Sequence, residues 1–120
     1  MLRAAAVLLL FAAAAAPAVA GDLSGLEPAF DNTLVSTNPD GRTAKAWLNR
    51  DGTYRGQSRR GIAMAGKWSV KGEMVCFKQS RPFPAPVSWC TPMQRGGVGT
   101  AWTAKAVTGE PIKVQLVKGR

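Results

Sequence analysis

The feature that most constrains the fold is the pair of cysteines in one short stretch, VCFKQSRPFPAPVSWC, at residues 75–90. If the chain folds back symmetrically about Phe83, then Cys76 faces Cys90 across an antiparallel pair of strands. The same register pairs the flanking residues, Phe77 with Trp89 and Val75 with Thr91. The prolines in the middle cannot donate ladder hydrogen bonds, so they belong to the connecting loop. The sequence therefore predicts a hairpin that is fastened by a disulfide.

Two other uses of a cysteine pair fit this stretch less well. A redox-active pair is usually Cys-x-x-Cys at a helix start, whereas thirteen residues separate Cys76 from Cys90. A zinc site needs two further ligands, and the chain contains no histidine. We therefore expect a structural disulfide that stabilises the fold by about 3 kcal/mol, and neither a metal nor a cofactor.

The first twenty residues are MLRAAAVLLLFAAAAAPAVA, which has the pattern of a secretory signal peptide. Arg3 precedes an apolar run at residues 4–16, and Ala18-Val19-Ala20 offers small residues to a signal peptidase. The alternative is an uncleaved anchor, but the apolar run is shorter than the roughly 20 residues that span a bilayer. We predict cleavage after Ala20, a periplasmic or secreted protein, and no transmembrane segment in the mature form.

The mature chain has 100 residues, which is enough for one domain only. We assign residues 32–118 to a single β-barrel domain. Residues 21–31 form either an N-terminal arm or a short helix that covers one barrel end with Leu26 and Phe30. Because Arg3 leaves with the signal peptide, fifteen basic and seven acidic residues remain, and the formal net charge is +8.

Short segments with period-two alternation follow from residue 33 onward, separated by turn signals at close intervals. The last of them, IKVQLVK, alternates most clearly, with Ile112, Val114 and Leu116 on one side. About eight strands result. A sandwich of this size would expose four sheet edges, whereas a closed barrel exposes none. The predicted fold is therefore all-β, a small antiparallel up-and-down barrel.

Two hairpin registers can be predicted from turn residues. A loop of Arg50-Asp51-Gly52 with Gly52 left-handed places Leu48 opposite Tyr54 and Ala46 opposite Gly56. A tight turn at Lys71-Gly72 is expected to pair the next two strands. That register places Trp68 opposite Val75 and Gly66 opposite Phe77.

Four segments occur in an order that resembles small secreted bacterial β-barrel families of unknown function. These segments are DNTLVS (31–36), WLNRDGTYRG (47–56), GKWSVKGEMVCF (66–77) and SWC (88–90). In those families a Gly-Asn-Thr-like start, a Trp or Tyr strand before Asp-Gly, a Gly-x-Trp strand and two cysteines recur in this order. This chain departs from the pattern at Asp31, where a glycine would be typical. The resemblance implies a lipocalin-like barrel in the periplasm and no known activity.

Catalysis is not indicated by the residue types present. The commonest general base is missing because the chain has no histidine. Four of the seven carboxylates lie in turns whose chemistry already accounts for them, namely Asp40, Asp51, Glu73 and Glu110. We therefore predict that the protein is not an enzyme and has no catalytic residues.

A basic cluster is the first candidate for a binding surface, and it consists of Arg55, Arg59, Arg60, Arg81 and the loop residue Phe83. We predict a monomeric binding module that recognises a partner protein or an anionic envelope component through basic loops. Nucleic acid is not an expected partner, because no aromatic stacking platform can be placed beside these arginines.

Two alternative functions remain open. The first is a carrier of a small apolar ligand, with a pocket between Trp47, Tyr54, Trp68 and Trp102. Against it, a mature chain of this length is expected to have a nearly filled barrel interior. The second alternative is an inhibitor of a secreted hydrolase, which would use the same exposed surface as the binding module.

Overall fold

The computed structural model of the protein describes residues 23–92 and 95–120. The predicted signal peptide and its cleavage site lie outside the described residues. One 3₁₀ helix, Leu23–Asp31, precedes eight strands. The strands are β1 (Thr33–Thr37), β2 (Thr43–Leu48), β3 (Thr53–Gln57), β4 (Ala63–Lys71), β5 (Met74–Arg81), β6 (Trp89–Pro92), β7 (Ala101–Lys105) and β8 (Pro111–Val117).

All eight strands belong to one antiparallel sheet, in the order β6-β5-β4-β3-β2-β1-β8-β7. Strands that are consecutive in sequence pair with each other, except β6 and β7, and β8 returns to pair with β1. The sheet therefore curls into a nearly closed up-and-down barrel with a seam between β6 and β7. The predicted all-β barrel of about eight strands is confirmed.

Two tryptophan side chains bridge the seam. The Trp89 Nε1–H donates to the carbonyl oxygen of Lys105 at 2.8 Å. The Trp102 Nε1–H donates to the Thr91 hydroxyl oxygen at 2.7 Å, and Thr91 is only 2% exposed. Both bonds join β6 to β7 where the described residues form no backbone ladder. The closed barrel that the sequence predicts is thus completed by side chains and not by strand pairing.

The cysteine hairpin has the predicted register. Cys76 pairs with Cys90 and their disulfide is formed, and Phe77 lies opposite Trp89. Since successive residues of a strand point to opposite faces, the disulfide lies on the outer face of the barrel and the two rings point inward. The disulfide thus joins β5 to β6 beside the seam, and Cys76 is buried at 4% exposed although it belongs to neither hydrophobic cluster of the interior.

One of the two other registers is confirmed and one is wrong. In β2 and β3, Leu48 lies opposite Tyr54, and Gly52 has a φ of +91° in the connecting loop. In β4 and β5, Trp68 lies opposite Phe77, not opposite Val75. The reason is the turn, in which Lys71 still pairs with Met74, so that the loop begins at Gly72 with a φ of +61°. The shift is two residues, so the side chains between Gly66 and Gln79 keep their predicted faces. A bulge between Ala65 and Gly66 then places Arg81 opposite Ala65, on the outer face.

The 3₁₀ helix closes one end of the barrel. Leu26 and Phe30 are 5% and 6% exposed and contribute about 1.5–3 kcal/mol each by their burial. The centroids of the Phe30 and Trp68 rings are 5.7 Å apart. The Arg50 guanidinium lies over the Phe30 ring, at 4.6 Å from its centroid. The Arg120 guanidinium donates to the backbone oxygens of Phe30 and Leu48. Through these contacts, Arg50 of the β2–β3 turn and the C-terminal Arg120 both hold the 3₁₀ helix in place.

Gly66 in β4 lies where a side chain would not fit. Tyr54 in β3 lies opposite Gly66, and a methyl group at Gly66 would lie 2.9 Å from the Tyr54 ring. The missing side chain lets the Tyr54 ring reach the Phe77 ring edge-on across β4, at 5.1 Å between centroids. The ring that needs the glycine is therefore Tyr54, from the strand before, and not Phe77.

Replacing Gly66 by alanine should destabilise the barrel by about 2 kcal/mol or more. The added methyl carbon would lie 2.1 Å from the Lys78 carbonyl oxygen, which is backbone and cannot move aside alone. Urea unfolding followed by tryptophan fluorescence measures the change. The control is Gly97→Ala, where nothing lies within 4 Å of the new methyl group, and the expected change is under about 0.5 kcal/mol. Equal midpoints for the two variants would contradict the packing of Tyr54 over Gly66.

Candidate functional site

The two ends of the barrel differ. Because the strands alternate in direction, the connections at 38–42, 58–62, 82–88 and 106–110 all lie at the end opposite the 3₁₀ helix. This open end leads into an apolar cavity of about 240 Å³ inside the barrel. The nearly filled interior that the sequence predicts is therefore found only in the half beside the helix.

Side-chain size along the inward faces explains where the cavity lies. On β2 the inward residues are Ala44 and Ala46 toward the open end and Leu48 toward the helix. On β3 the inward residue toward the open end is Gly56, and the one toward the helix is Tyr54. Since small residues face the axis in the open half, the strands cannot fill the space between them.

Three aromatic rings form one wall of the cavity. The Phe77 ring meets the Tyr54 ring edge-on at 5.1 Å and stacks on the Trp89 ring at 5.5 Å. These three residues come from β3, β5 and β6, and all of them line the cavity. Such contacts add about 0.5–1.5 kcal/mol per pair beyond burial, so this wall is rigid.

The polar groups of the cavity are few. Tyr54 is 6% exposed, and no fully buried polar side-chain atom of the described residues lacks a hydrogen-bond partner. The Tyr54 hydroxyl, for which no bond to a described residue is found, is therefore accessible from the cavity. Burial raises the pKa of the Tyr54 hydroxyl above its ordinary value of 10.0. Gln79 also lines the cavity, but its Nε2 donates to the Phe83 carbonyl oxygen at 3.0 Å. The Tyr54 hydroxyl is therefore one of the few polar groups on the cavity wall that a ligand could contact, together with Ser36 and Lys45.

Of the four residues predicted to line a pocket, only Tyr54 lines this cavity. Trp47 is on the outer face of β2, half-buried, and its Nε1–H donates to the Thr33 hydroxyl oxygen at 2.8 Å. Trp68 packs beside Phe30 and donates to the Asn49 carbonyl oxygen at 2.8 Å. Trp102 belongs to the seam. These three tryptophans have structural contacts outside the cavity.

The residues predicted as a basic binding surface lie at the open end or on the wall next to it. Arg59 and Arg60 are exposed in the β3–β4 turn, and Phe83 is 62% exposed in the β5–β6 loop. Arg59 lies 3.7 Å from a carboxylate oxygen of Asp40, with both side chains about half exposed, so this pair contributes little to stability.

Arg55 and Arg81 are brought together on the outer wall. Arg55 lies opposite Ala65 on one side, and Arg81 lies opposite Ala65 on the other. They line a shallow outer groove of about 400 Å³ together with Trp47. This groove and the cavity lie on opposite faces of the same strands.

The loop at 82–88 folds back over the mouth of the cavity. The Ala85 backbone N–H donates to the Gln79 carbonyl oxygen at 3.1 Å, and Ala85 and Val87 line the cavity. Val107, from the β7–β8 turn, lines it from the other side of the mouth. Ala85 belongs to the loop at residues 82–86, which the sequence predicts as part of the binding surface, whereas Val87 and Val107 were not predicted as site residues.

A signal for the cavity was present in the sequence. Once the inward face of each strand is assigned, the decrease in side-chain volume toward one end can be read from Leu34 to Ser36 and from Leu48 to Ala44. The pocket of tryptophans was predicted from large aromatic residues, but Trp47, Trp68 and Trp102 all have their contacts outside the cavity. The small residues indicate where the empty space lies.

All six carboxylates of the described residues are exposed, and none of them lines the cavity. Among residues 23–92 and 95–120, no group of three or more His, Cys, Asp and Glu side chains could hold a metal ion. No helix in this part of the chain is both long and apolar enough to cross a membrane.

In comparisons with protein-family models, with curated proteins and with solved structures, nothing matches this chain. The antiparallel barrel and its single disulfide are therefore described from the structure alone.

Tyr54 is the only tyrosine of the chain, so its ionisation can be followed by the ultraviolet absorbance of tyrosinate. We expect an apparent pKa above 10.0 in the folded protein, because burial disfavours the charged phenolate. The unfolded chain then loses this proton first, so the stabilising contribution is complete below about pH 10 and decreases as the pH rises further. The same titration in concentrated urea serves as the control. A folded-state pKa at or below the unfolded value would show that Tyr54 is solvated.

Proposed function

We propose that the protein is a non-enzymatic binding protein that holds a small apolar ligand in the open half of its barrel. The observation that carries this proposal is the apolar cavity of about 240 Å³ that opens at one end. Of the functions considered from the sequence, the carrier is the one for which the fold provides an enclosed space.

The lining of the cavity supports an apolar ligand. Its walls are mainly aliphatic and aromatic, with Leu34, Met64 and Val114 among them. Small-molecule sites typically combine such walls with a few polar groups that fix orientation. Here the unpaired Tyr54 hydroxyl can supply one donor, and a methionine can adapt its shape to the ligand.

The size of the cavity limits the ligand. An engineered cavity of about 150 Å³ holds benzene, so a cavity of about 240 Å³ has room for about ten non-hydrogen atoms. A medium-chain fatty carboxylate such as octanoate has this size. Its charged end would face the open end, where arginines rather than carboxylates predominate.

Several finer points belong to this proposal. We place the protein in the periplasm or outside the cell, because the first twenty residues have the pattern of a signal peptide and the disulfide is formed. The likeness to lipocalin-like barrels of unknown function is part of the same proposal.

Filling the cavity should abolish ligand binding without unfolding the barrel. Ala46 lines the cavity on β2, and Ala46→Phe places a ring in the empty space. We expect octanoate, measured by calorimetry, to bind this variant at least about tenfold more weakly than the natural protein. Octanoate should also raise the Tyr54 pKa further, because it displaces water from the cavity.

The matched control is Ala101→Phe, which adds the same ring to an exposed position on the outer face of β7. It should bind octanoate with unchanged affinity. If Ala46→Phe does not fold, Ala44→Phe fills the same cavity nearer its mouth. Undiminished octanoate binding in a folded, cavity-filled variant would refute the proposed function.

A further inference from the structure

The open end of the barrel carries the most exposed apolar side chains of the described residues. Ile62, Phe83, Val87 and Val107 are 50%, 62%, 50% and 60% exposed. They come from three different connections around the mouth of the cavity. The other large apolar residues with notable exposure, Met74, Val98 and Val117, are 36%, 49% and 40% exposed and belong to the opposite half.

Charge is also distributed unevenly between the ends. The connections at the open end carry Arg42, Arg59 and Arg60, and Arg81 precedes the loop at 82–88. Only two described carboxylates, Asp40 and Glu110, lie at this end. The other four are at the helix end, and they are Glu27, Asp31, Asp51 and Glu73. The helix end also carries cations, namely Arg50, Lys71, Arg95, Lys118 and Arg120, but its four carboxylates offset most of them. The excess of cations over carboxylates is therefore larger at the open end, which a negatively charged surface would attract more strongly.

We propose that the open end docks on an anionic lipid surface, with Phe83 and Ile62 inserted among the lipids and the nearby arginines at the headgroups. Apolar side chains ringed by cations are the combination that binds at the interface of an anionic membrane. A folded partner protein would more naturally fit one continuous groove, whereas these apolar residues stand on separate loops around an opening.

The docked orientation would give the cavity a role at the membrane. Val87 and Val107 are both exposed at the mouth and part of the cavity lining. With the mouth against the lipids, an apolar ligand could pass between the bilayer and the cavity without crossing water. This inference deepens the proposed function and rests on it for the role of the mouth, but the docking itself can be tested separately.

The test is co-sedimentation of the purified protein, its N terminus determined by mass spectrometry, with two kinds of vesicle. One kind contains phosphatidylcholine alone, and the other an equimolar mixture with phosphatidylglycerol. We expect partitioning into the anionic vesicles only. Ile62→Ser/Phe83→Ser should lower the partition coefficient by about tenfold. Arg59→Gln/Arg60→Gln should lower it by about thirtyfold and reduce its dependence on salt.

Matched controls make the same chemical changes at the helix end. Val98→Ser/Val117→Ser removes two exposed apolar side chains there, and Lys71→Gln/Lys118→Gln removes two cations. Both should partition like the natural protein. Equal losses in the open-end and helix-end variants, or no binding of the natural protein to anionic vesicles, would overturn the docking.

The docking and the ligand binding can fail independently. Ile62 and Phe83 do not line the cavity, so Ile62→Ser/Phe83→Ser should bind octanoate normally in the absence of vesicles. The cavity-filled Ala46→Phe should in turn sediment with anionic vesicles as the natural protein does. Loss of vesicle binding in Ala46→Phe would show that the open end does not dock through the exposed side chains around its mouth.

Discussion

The volume of the inward-facing side chains is the constraint on which the rest of this structure depends. Eight short strands set the circumference of the barrel, so the space inside is fixed and only side chains can fill it. Leucines and aromatic rings fill it beside the 3₁₀ helix, whereas Ala44, Ala46 and Gly56 leave it empty at the other end. The filled half beside the helix thus stabilises the barrel, and the open half provides the space for a ligand.

Keeping such a cavity open requires a rigid wall, because a small barrel with missing side-chain volume tends to collapse. The described residues provide this rigidity at three places. Gly66 lets the Tyr54 ring reach Phe77, the disulfide joins β5 to β6, and Trp89 and Trp102 bridge the seam. The helix end contributes the bulk of the buried surface. The open end is therefore supported by the filled helix half and by the contacts along β5, β6 and the seam.

Much of the fold could be predicted from local patterns. Turn residues and strand alternation indicated the barrel, the cysteine hairpin and the Leu48–Tyr54 register, since each depends on residues close in sequence. The β4–β5 register was wrong because Gly72 can occupy either position of a two-residue turn, and sequence does not decide between them. The seam and the helix contacts join residues far apart in sequence. The site was predicted least well, because a cavity is defined by absent side chains on several strands at once.

Intermolecular nuclear Overhauser effects between octanoate and the methyl groups of the barrel would test the central claim most directly. The account predicts contacts from the terminal methyl of octanoate to Met64 and Val114, which line the cavity. It predicts none to Leu26, a residue of the 3₁₀ helix that packs in the filled half. Contacts confined to exposed residues such as Val98 and Val117, or a bound state without contacts to Met64 and Val114, would contradict it.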